Sequence, residues 1–282
     1  MIKKYYRKIY RTWLGKKLSS EEFLHILTSL LDLKKGDSVL VHASFGNLKP
    51  DFSPEKAVEI LMNVVGKEGN LLMPYYPYDS KKFLESGEVF DVNSTPTRSG
   101  ILSATFSSFP EVKKSLHPIK SLAVWGKDRD ELISRHHYSK LPFDQNSPYY
   151  RLLRMQSAKT IGLGVFKNSM LHMYEDNITA YPTYYEGKKY IAKCINYEGK
   201  VCNVETYTHG KSNRVESCEY LKLIKCPSYK EVLFKQRRFY VLNEQIAYKH
   251  IARLVESENK TAEYFKQDTS FVHYIKSKIP RI

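Results

Sequence analysis

Several common signatures are missing from this 282-residue sequence, and each absence narrows the class of protein. No uncharged apolar run approaches the roughly 18 residues that a membrane-spanning helix needs, so no transmembrane helix is expected. The basic start is not followed by a long apolar stretch, which argues against a secretory signal. The four cysteines form no C-x-x-C pair, which disfavours zinc binding and indicates reduced thiols in a cytoplasmic protein.

Acidic residues are absent from residues 1–20, although lysine and arginine are frequent there and the whole chain has a formal net charge of +15. Aromatic and apolar residues recur every three to four positions between Ile2 and Leu14, which predicts an amphipathic helix with basic flanks. This basic N-terminal segment, residues 1–18, suits peripheral contact with an anionic membrane at its inner face. The alternative is that it packs on the protein itself. No nucleic-acid-binding motif accompanies the charge.

Residues 19–282 have the pattern of a single α/β domain. Ser19 to Glu22 has the form of a capping box that opens a first helix. Apolar runs typical of buried strands are GDSVLVHAS (36–44), NLLMPYY (70–76), SLAVWG (121–126) and KTIGLGVF (159–166). Helices are predicted near 54–65, 99–110, 128–136, 148–155, 169–176, 228–236 and 243–258. The order predicts a central, mainly parallel or mixed sheet flanked by helices, with a C-terminal β-hairpin over 188–210 and closing helices.

The candidate catalytic residue is His172, in the helix predicted for SMLHMYED (169–176). Glu175 follows three positions later and therefore lies on the same helix face. A carboxylate there would hold the imidazole in one tautomer, as a general base requires. The alternative is a histidine that only packs. A metal site would need further ligands, so none is predicted, and no G-x-S-x-G elbow of a serine hydrolase occurs.

Seven segments, taken in order, resemble the aminoglycoside 3-N-acetyltransferase family over roughly residues 20–210. They are GDSVLVHASF (36–45), EGNLLMPYY (68–76), FDVNSTPTRSG (90–100), SLHPIKSLAVWG (115–126), LPFDQNSPYYRLL (141–153), IGLGVFKNSMLHMYED (161–176) and VETYTHG (204–210). Each segment is a weak match alone, whereas their joint order and spacing are specific.

The resemblance implies an N-acetyltransferase with acetyl-coenzyme A as donor and the amine of an amino sugar as acceptor. It implies that His172 is the catalytic histidine, oriented by Glu205 or Glu175. The cofactor groove would be lined by His42, Ser44, Phe45, Thr97, Ser99, Gly100 and Ser121. The substrate would be bound by Tyr75, Asp144, Asn168 and His209, with loop pinning as the alternative role of Asp144.

Two departures from the family pattern stand out. The family's HPTHS reads HPIKS here (117–121), which places Lys120 where a histidine is usual. The family's glutamate before an Asp-His pair corresponds only loosely to Glu205, because Thr208 precedes His209.

The net charge leads to a hypothesis about the acceptor. Aminoglycosides are polycations that a chain at +15 would repel, whereas a phosphate-bearing sugar would be attracted. The sequence therefore favours acetylation of a nucleotide- or lipid-linked amino sugar in surface-polysaccharide biosynthesis. Aminoglycoside acetylation, as in antibiotic resistance, is the first alternative, and a non-catalytic relative that docks a partner is the second. The sequence carries no signal for an oligomeric state.

Overall fold

The computed structural model describes residues 16–178, 185–209 and 217–257. Most of the predicted basic N-terminal segment lies outside the described residues. Its last residue, Leu18, is fully buried and forms a β-bridge with Pro50. The side chain of Arg237 donates to the carbonyl of Lys16, so the described end of this segment is packed on the domain. No helix among the described residues is both long and apolar enough to cross a membrane.

Helices and strands alternate along the first two thirds of the chain, as the sequence predicts. The strands are β1 Ser38–Ala43, β2 Asn70–Pro74, β3 Phe90–Asp91, β4 Lys113–Lys114, β5 Leu122–Gly126, β6 Ala158–Leu163, β7 Tyr185–Ile195, β8 Val201–His209, β9 Tyr229–Phe234 and β10 Arg237–Asn243. The α-helices are α1 Ser20–His25, α2 Phe45–Leu48, α3 Pro54–Val65, α4 Ser80–Ser86, α5 Ile101–Ser107, α6 Arg129–Ile133, α7 Pro148–Leu153, α8 Met170–Asn177, α9 Ser217–Leu223 and α10 Glu244–Ser257. The predicted capping box is present, because the Ser19 and Glu22 side chains each accept the other's backbone N–H.

A seven-stranded mixed sheet forms the centre of the fold, in the order β4-β5-β2-β1-β6-β10-β9. Strands β2, β1 and β6 are parallel neighbours, whereas β5 and β10 run antiparallel on either side of them. A smaller sheet contains β3, β7 and β8, and the last two strands form the predicted hairpin. The carboxyl ends of β1, β2 and β6 therefore meet at one edge, where α/β proteins bind ligands.

Helices cover both faces of the large sheet, because alternate strand residues point to opposite sides. Val39 and Val41 belong to a core shared with α1, α3 and α5. Leu40 and Leu72 belong to a second core shared with α7, α8 and α10. The α/β class predicted from the sequence is confirmed, and α8 lies on the face of the second core.

The helix predicted at 228–236 is wrong, because this stretch forms β9 and its turn to β10. Lys235 and Gln236 occupy the turn with φ angles of 47° and 59°. Hairpin turns with positive φ usually contain glycine or asparagine, so Lys-Gln gave no turn signal. Helix α9, Ser217–Leu223, was not predicted.

Gly162 allows an aromatic ring to cross the sheet. In the register of the sheet it lies between His42 on β1 and Tyr240 on β10. A Cβ atom at residue 162 would stand 1.9 Å from the Tyr240 ring. With that space open, the ring crosses β6 and its hydroxyl donates to the carbonyl of Lys167, 2.6 Å away. The missing side chain thus lets β10 hold the loop that leads into α8.

We expect Gly162→Ala to destabilise the protein by about 1–3 kcal/mol, because the added methyl group overpacks a buried ring. Urea denaturation at neutral pH measures this loss. Gly46→Ala is the matched control, since a Cβ at that position meets nothing within 4 Å. Equal stability of the two variants would contradict the described packing.

Candidate active site

A histidine–glutamate pair on α8 forms the centre of the site. The Nδ1 atom of His172 lies 2.9 Å from Oε2 of Glu175. The Glu175 side chain is only 6% exposed, whereas that of His172 is 31% exposed. The Phe143 ring lies 5.3 Å from the imidazole, centroid to centroid. Donation of Nδ1–H to the carboxylate fixes the tautomer whose lone pair is on Nε2. Of the two carboxylates considered as partners of His172, the structure places Glu175 against the imidazole, whereas Glu205 pairs with Lys189.

Two more carboxylates surround this pair. Asp176 accepts both the hydroxyl of Tyr185 and the backbone N–H of Phe143. Burial, together with the negative charges of Glu175 and Asp144, raises the pKa of Asp176 to about 7. The site is therefore locally acidic in a strongly basic chain.

Asp144 pins the loop that carries Phe143. Its carboxylate accepts the backbone N–H groups of Lys140, Leu141 and Asn146. The alternative role considered for this residue, loop pinning, is therefore present in the structure. The half-buried carboxylate also remains close enough to Asp176 to affect its pKa.

The loop that leads into α8 is attached to the sheet at several points. His42 Nε2 accepts the backbone N–H of Ser169 at 3.2 Å, and the Ser169 hydroxyl lies 3.1 Å from the same nitrogen. The Asn168 side chain accepts the N–H of Met170. His42 is buried and Asn168 is only 3% exposed, so each positions α8 in this structure instead of forming an open binding surface.

Tyr76, which sequence reasoning missed, connects the segment of Thr97 and Ser99 to Tyr149 of α7. Its hydroxyl lies 2.7 Å from that of Tyr149, whose ring packs 4.5 Å from Phe143. The predicted Tyr75 instead is 5% exposed, and its hydroxyl donates to the carbonyl of Thr95. Strand alternation explains the difference, since Met73 and Tyr75 face the first core. Leu72 faces the second core, and Tyr76 reaches Tyr149 of α7 on that side.

The predicted cofactor-groove residues divide into two groups. Thr97 and Ser99 bind the backbone of Tyr76, the first by donating to its carbonyl and the second by accepting its N–H. Gly100, with φ of 105°, begins α5, and a Cβ there would lie 3.9 Å from the carbonyl of Ala43. The first group lies just after β1 or just before α5 and consists of half-buried Ser44, Phe45, Thr97 and Ser99 with exposed Gly100. The second group, His42 and Ser121, is buried.

Three predicted residues lie elsewhere or go undescribed. Ser121 is fully buried and donates its hydroxyl to the carbonyl of Ser115, so this side chain lines no groove. Glu205 pairs with Lys189 at 3.3 Å on the outer face of the hairpin, while its neighbour Thr206 points inward. His209 ends β8 opposite Tyr185, and its side chain lies outside the described residues.

A stacked histidine pair holds the turn before β5. Nδ1 of His117 accepts the N–H of Lys120, and its Nε2 lies 3.3 Å from the Thr206 hydroxyl. The His117 ring stacks on His136 at 4.4 Å, and His136 Nε2 donates to the carbonyl of Pro142. Both rings are fully buried, so they tie the turn to the loop of Phe143.

Burial of these histidines predicts acid destabilisation. Desolvation lowers the pKa of His42 to about 4 and of His136 to about 3, and it lowers that of His117 well below 6.5. The unfolded chain binds protons first, so stability is full above pH 6.5 and falls as the pH drops toward 4. His42 alone would contribute a loss of about 3 kcal/mol below its folded pKa.

Equilibrium unfolding between pH 7.5 and 4 measures this slope. His42→Gln retains an acceptor for Ser169 without an ionisable ring, and its curve should fall less steeply than that of the unaltered protein. Parallel curves would show that His42 is not the titrating group.

A known family matches most of the chain. The model of the aminoglycoside 3-N-acetyltransferase family matches residues 40–272. The chain belongs to the aminoglycoside 3-N-acetyltransferase family. A YokD protein of Bacillus subtilis, described as aminoglycoside N(3')-acetyltransferase-like, is 29% identical over 168 residues, which is 52% of this chain and 61% of that protein. Aminoglycoside N(3)-acetyltransferase IV of a Salmonella species is 31% identical over 152 residues, covering 51% and 54% respectively.

The chain thus spans under two thirds of the length of these two family members. The crystal structure of aminoglycoside acetyltransferase AAC(3)-Xa superposes with a TM-score of 0.72 over 90% of this chain and 98% of that one. At 18% identity this likeness shows that the family fold is shared. Within the described residues, no group of three or more histidine, cysteine or acidic side chains could hold a metal ion.

Proposed function

We propose that this protein is an N-acetyltransferase that transfers an acetyl group from acetyl-coenzyme A to an amine of an aminoglycoside. The observation that carries the proposal is the His172–Glu175 pair, part-exposed at the imidazole and buried at the carboxylate, on the helix that the family resemblance singles out. Membership of the family supports the reaction class.

The chain's own groups suit amine acetylation. Acetyl-coenzyme A would supply an activated thioester carbonyl. His172 would accept a proton at Nε2 as the amine nitrogen bonds to that carbonyl carbon, and it would return the proton to the sulfur as the C–S bond breaks. Glu175 stabilises the imidazolium that exists between these two transfers, because the carboxylate is buried 2.9 Å away.

The acidic surroundings favour a polycationic acceptor. Asp144 and Glu175 lie close enough to Asp176 to raise its pKa, and Asp176 and Asp144 are part-exposed. Ammonium groups of an aminoglycoside would be attracted to them. The net charge of +15 led the sequence hypothesis to a phosphate-bearing sugar, but a chain's total charge does not set the charge of its pocket. The surface-polysaccharide hypothesis has no other support, and the aminoglycoside alternative fits better.

The sheet edge offers a place for the donor. Ser99 accepts the N–H of Tyr76 with its oxygen, so its hydroxyl proton remains available to a ligand oxygen. Thr97, Gly100 and Ser44 lie at the same edge. Solved proteins of this fold include AAC-IIIb in a binary complex with CoASH and AAC(3)-IVa in complex with a gentamicin. These complexes support a coenzyme A donor and an aminoglycoside acceptor for this chain.

Thiol release from acetyl-coenzyme A, measured with gentamicin and separately with a nucleotide-linked amino sugar, tests the proposal. We expect turnover with gentamicin and a mass increase of one acetyl group on the product. Turnover with the nucleotide-linked sugar alone would restore the polysaccharide hypothesis. If neither acceptor is acetylated, the remaining alternative is a non-catalytic relative that binds a partner.

His172→Asn should lower kcat by roughly 100-fold or more, the usual contribution of a general base. Glu175→Gln keeps a hydrogen-bond acceptor but loses the charge, so we expect a smaller loss in kcat with little change in KM. His25→Asn, on the exposed surface of α1, is the matched control and should retain full activity. Full activity of His172→Asn would exclude the proposed mechanism.

A further inference from the structure

Lys120 occupies a defined position at the site but has no role in the chemistry described so far. It belongs to the turn before β5, where its backbone N–H donates to His117 Nδ1 at 3.1 Å. Its side chain extends over Tyr76, with Nζ 4.8 Å from the ring centroid. Tyr76 is the residue whose backbone is held by Thr97 and Ser99 and whose hydroxyl contacts Tyr149.

The Lys120 ammonium is only partly exposed and poorly solvated. Its side chain is half-buried, and desolvation lowers its pKa to about 8, an effect that the negative charge of Asp79 partly offsets. The other titratable groups around it are His117 in its own turn and Tyr76 beneath it. Among the described residues its Nζ forms no hydrogen bond or ion pair, and the contact that the structure shows for it is the one with the Tyr76 ring. A desolvated cation without an acceptor is costly unless a ligand supplies one.

The charges of the site are separated along its length. Glu175, Asp176 and Asp144 lie around α8. Lys120 lies beyond the Tyr149 and Tyr76 pair, next to the part of the sheet edge formed by Thr97 and Ser99. A polycationic acceptor is attracted to the carboxylates around α8 and repelled by Lys120. An anionic donor is attracted to Lys120 and repelled by the carboxylates.

We propose that Lys120 is the anion-binding residue of the donor subsite and contacts a phosphate group of coenzyme A. The inference rests on the proposed function for the identity of the donor. Phosphate is the chemistry that matches an unpaired ammonium, since hydrogen bonds between two charged groups are about twice as strong as neutral ones.

Calorimetric titration with desulfo-coenzyme A, which lacks the reactive thiol, tests the contact. Lys120→Met keeps the aliphatic stem over Tyr76 and removes the charge, and we expect the Kd to rise about 10-fold. Pantetheine, which lacks the phosphates, should bind the variant and the unaltered protein equally. Lys114→Met is the matched control, because Lys114 lies over Tyr75 at 4.9 Å and is also partly desolvated. Its Kd for desulfo-coenzyme A should not change.

The pH dependence gives a second readout that a packing role would not move. Affinity for desulfo-coenzyme A should fall as the pH rises through about 8, where Lys120 loses its proton. Lys120→Arg remains charged at every pH tested. It should bind desulfo-coenzyme A below pH 8 and show no fall in affinity as the pH rises through 8. Lys120→Met should be weak at every pH and show no step.

Unchanged affinity of Lys120→Met, or an equal loss of pantetheine binding, would overturn the assignment. No binding of desulfo-coenzyme A to the unaltered protein would overturn both the assignment and the proposed donor. A Lys120-dependent affinity in a protein that fails to acetylate gentamicin would retain the assignment and reject only the acceptor.

Discussion

The site depends on the attachment of helix α8 to the central sheet through His42 and Ser169. His42 can accept the Ser169 N–H only while its ring is neutral at Nε2, and its burial lowers its pKa to about 4 and keeps it neutral. Tyr240 provides a second attachment, which Gly162 makes possible by having no side chain. Buried His42, which the family resemblance assigned to the cofactor groove, therefore helps to determine the position of part-exposed His172.

Local electrostatics outweigh total charge in this protein. The chain carries +15 overall, yet burial and then the neighbouring carboxylates of Glu175 and Asp144 raise the pKa of Asp176. Exposed lysines act through water and salt over a distance of about 10 Å at most, whereas partly buried charges are screened much less. This difference explains why the charge argument made from composition selected a phosphate-bearing acceptor, which the carboxylates of the site do not favour.

Sequence patterns could predict those features that depend on neighbours in the chain. The strands β1, β2, β5 and β6 and the His172–Glu175 spacing follow from local periodicity, and the structure contains them. Side-chain direction at strand ends was predicted less well, although alternation from Met73 would have placed Tyr76, not Tyr75, on the side of α7. The direction of Ser121 and the β9–β10 turn depend on long-range packing and on two non-glycine residues with positive φ, which no local pattern reports.

The turn before β5 shows how a rigid scaffold can leave one side chain open to variation. His117 and His136 are fixed by each other's rings, by Thr206 and by the carbonyl of Pro142. The backbone N–H of residue 120 donates to His117 Nδ1, and every residue except proline has such an N–H. The turn therefore does not depend on which side chain stands at residue 120. A change of charge at this position therefore alters the surface offered to a ligand while the histidine stack and α8 keep their geometry.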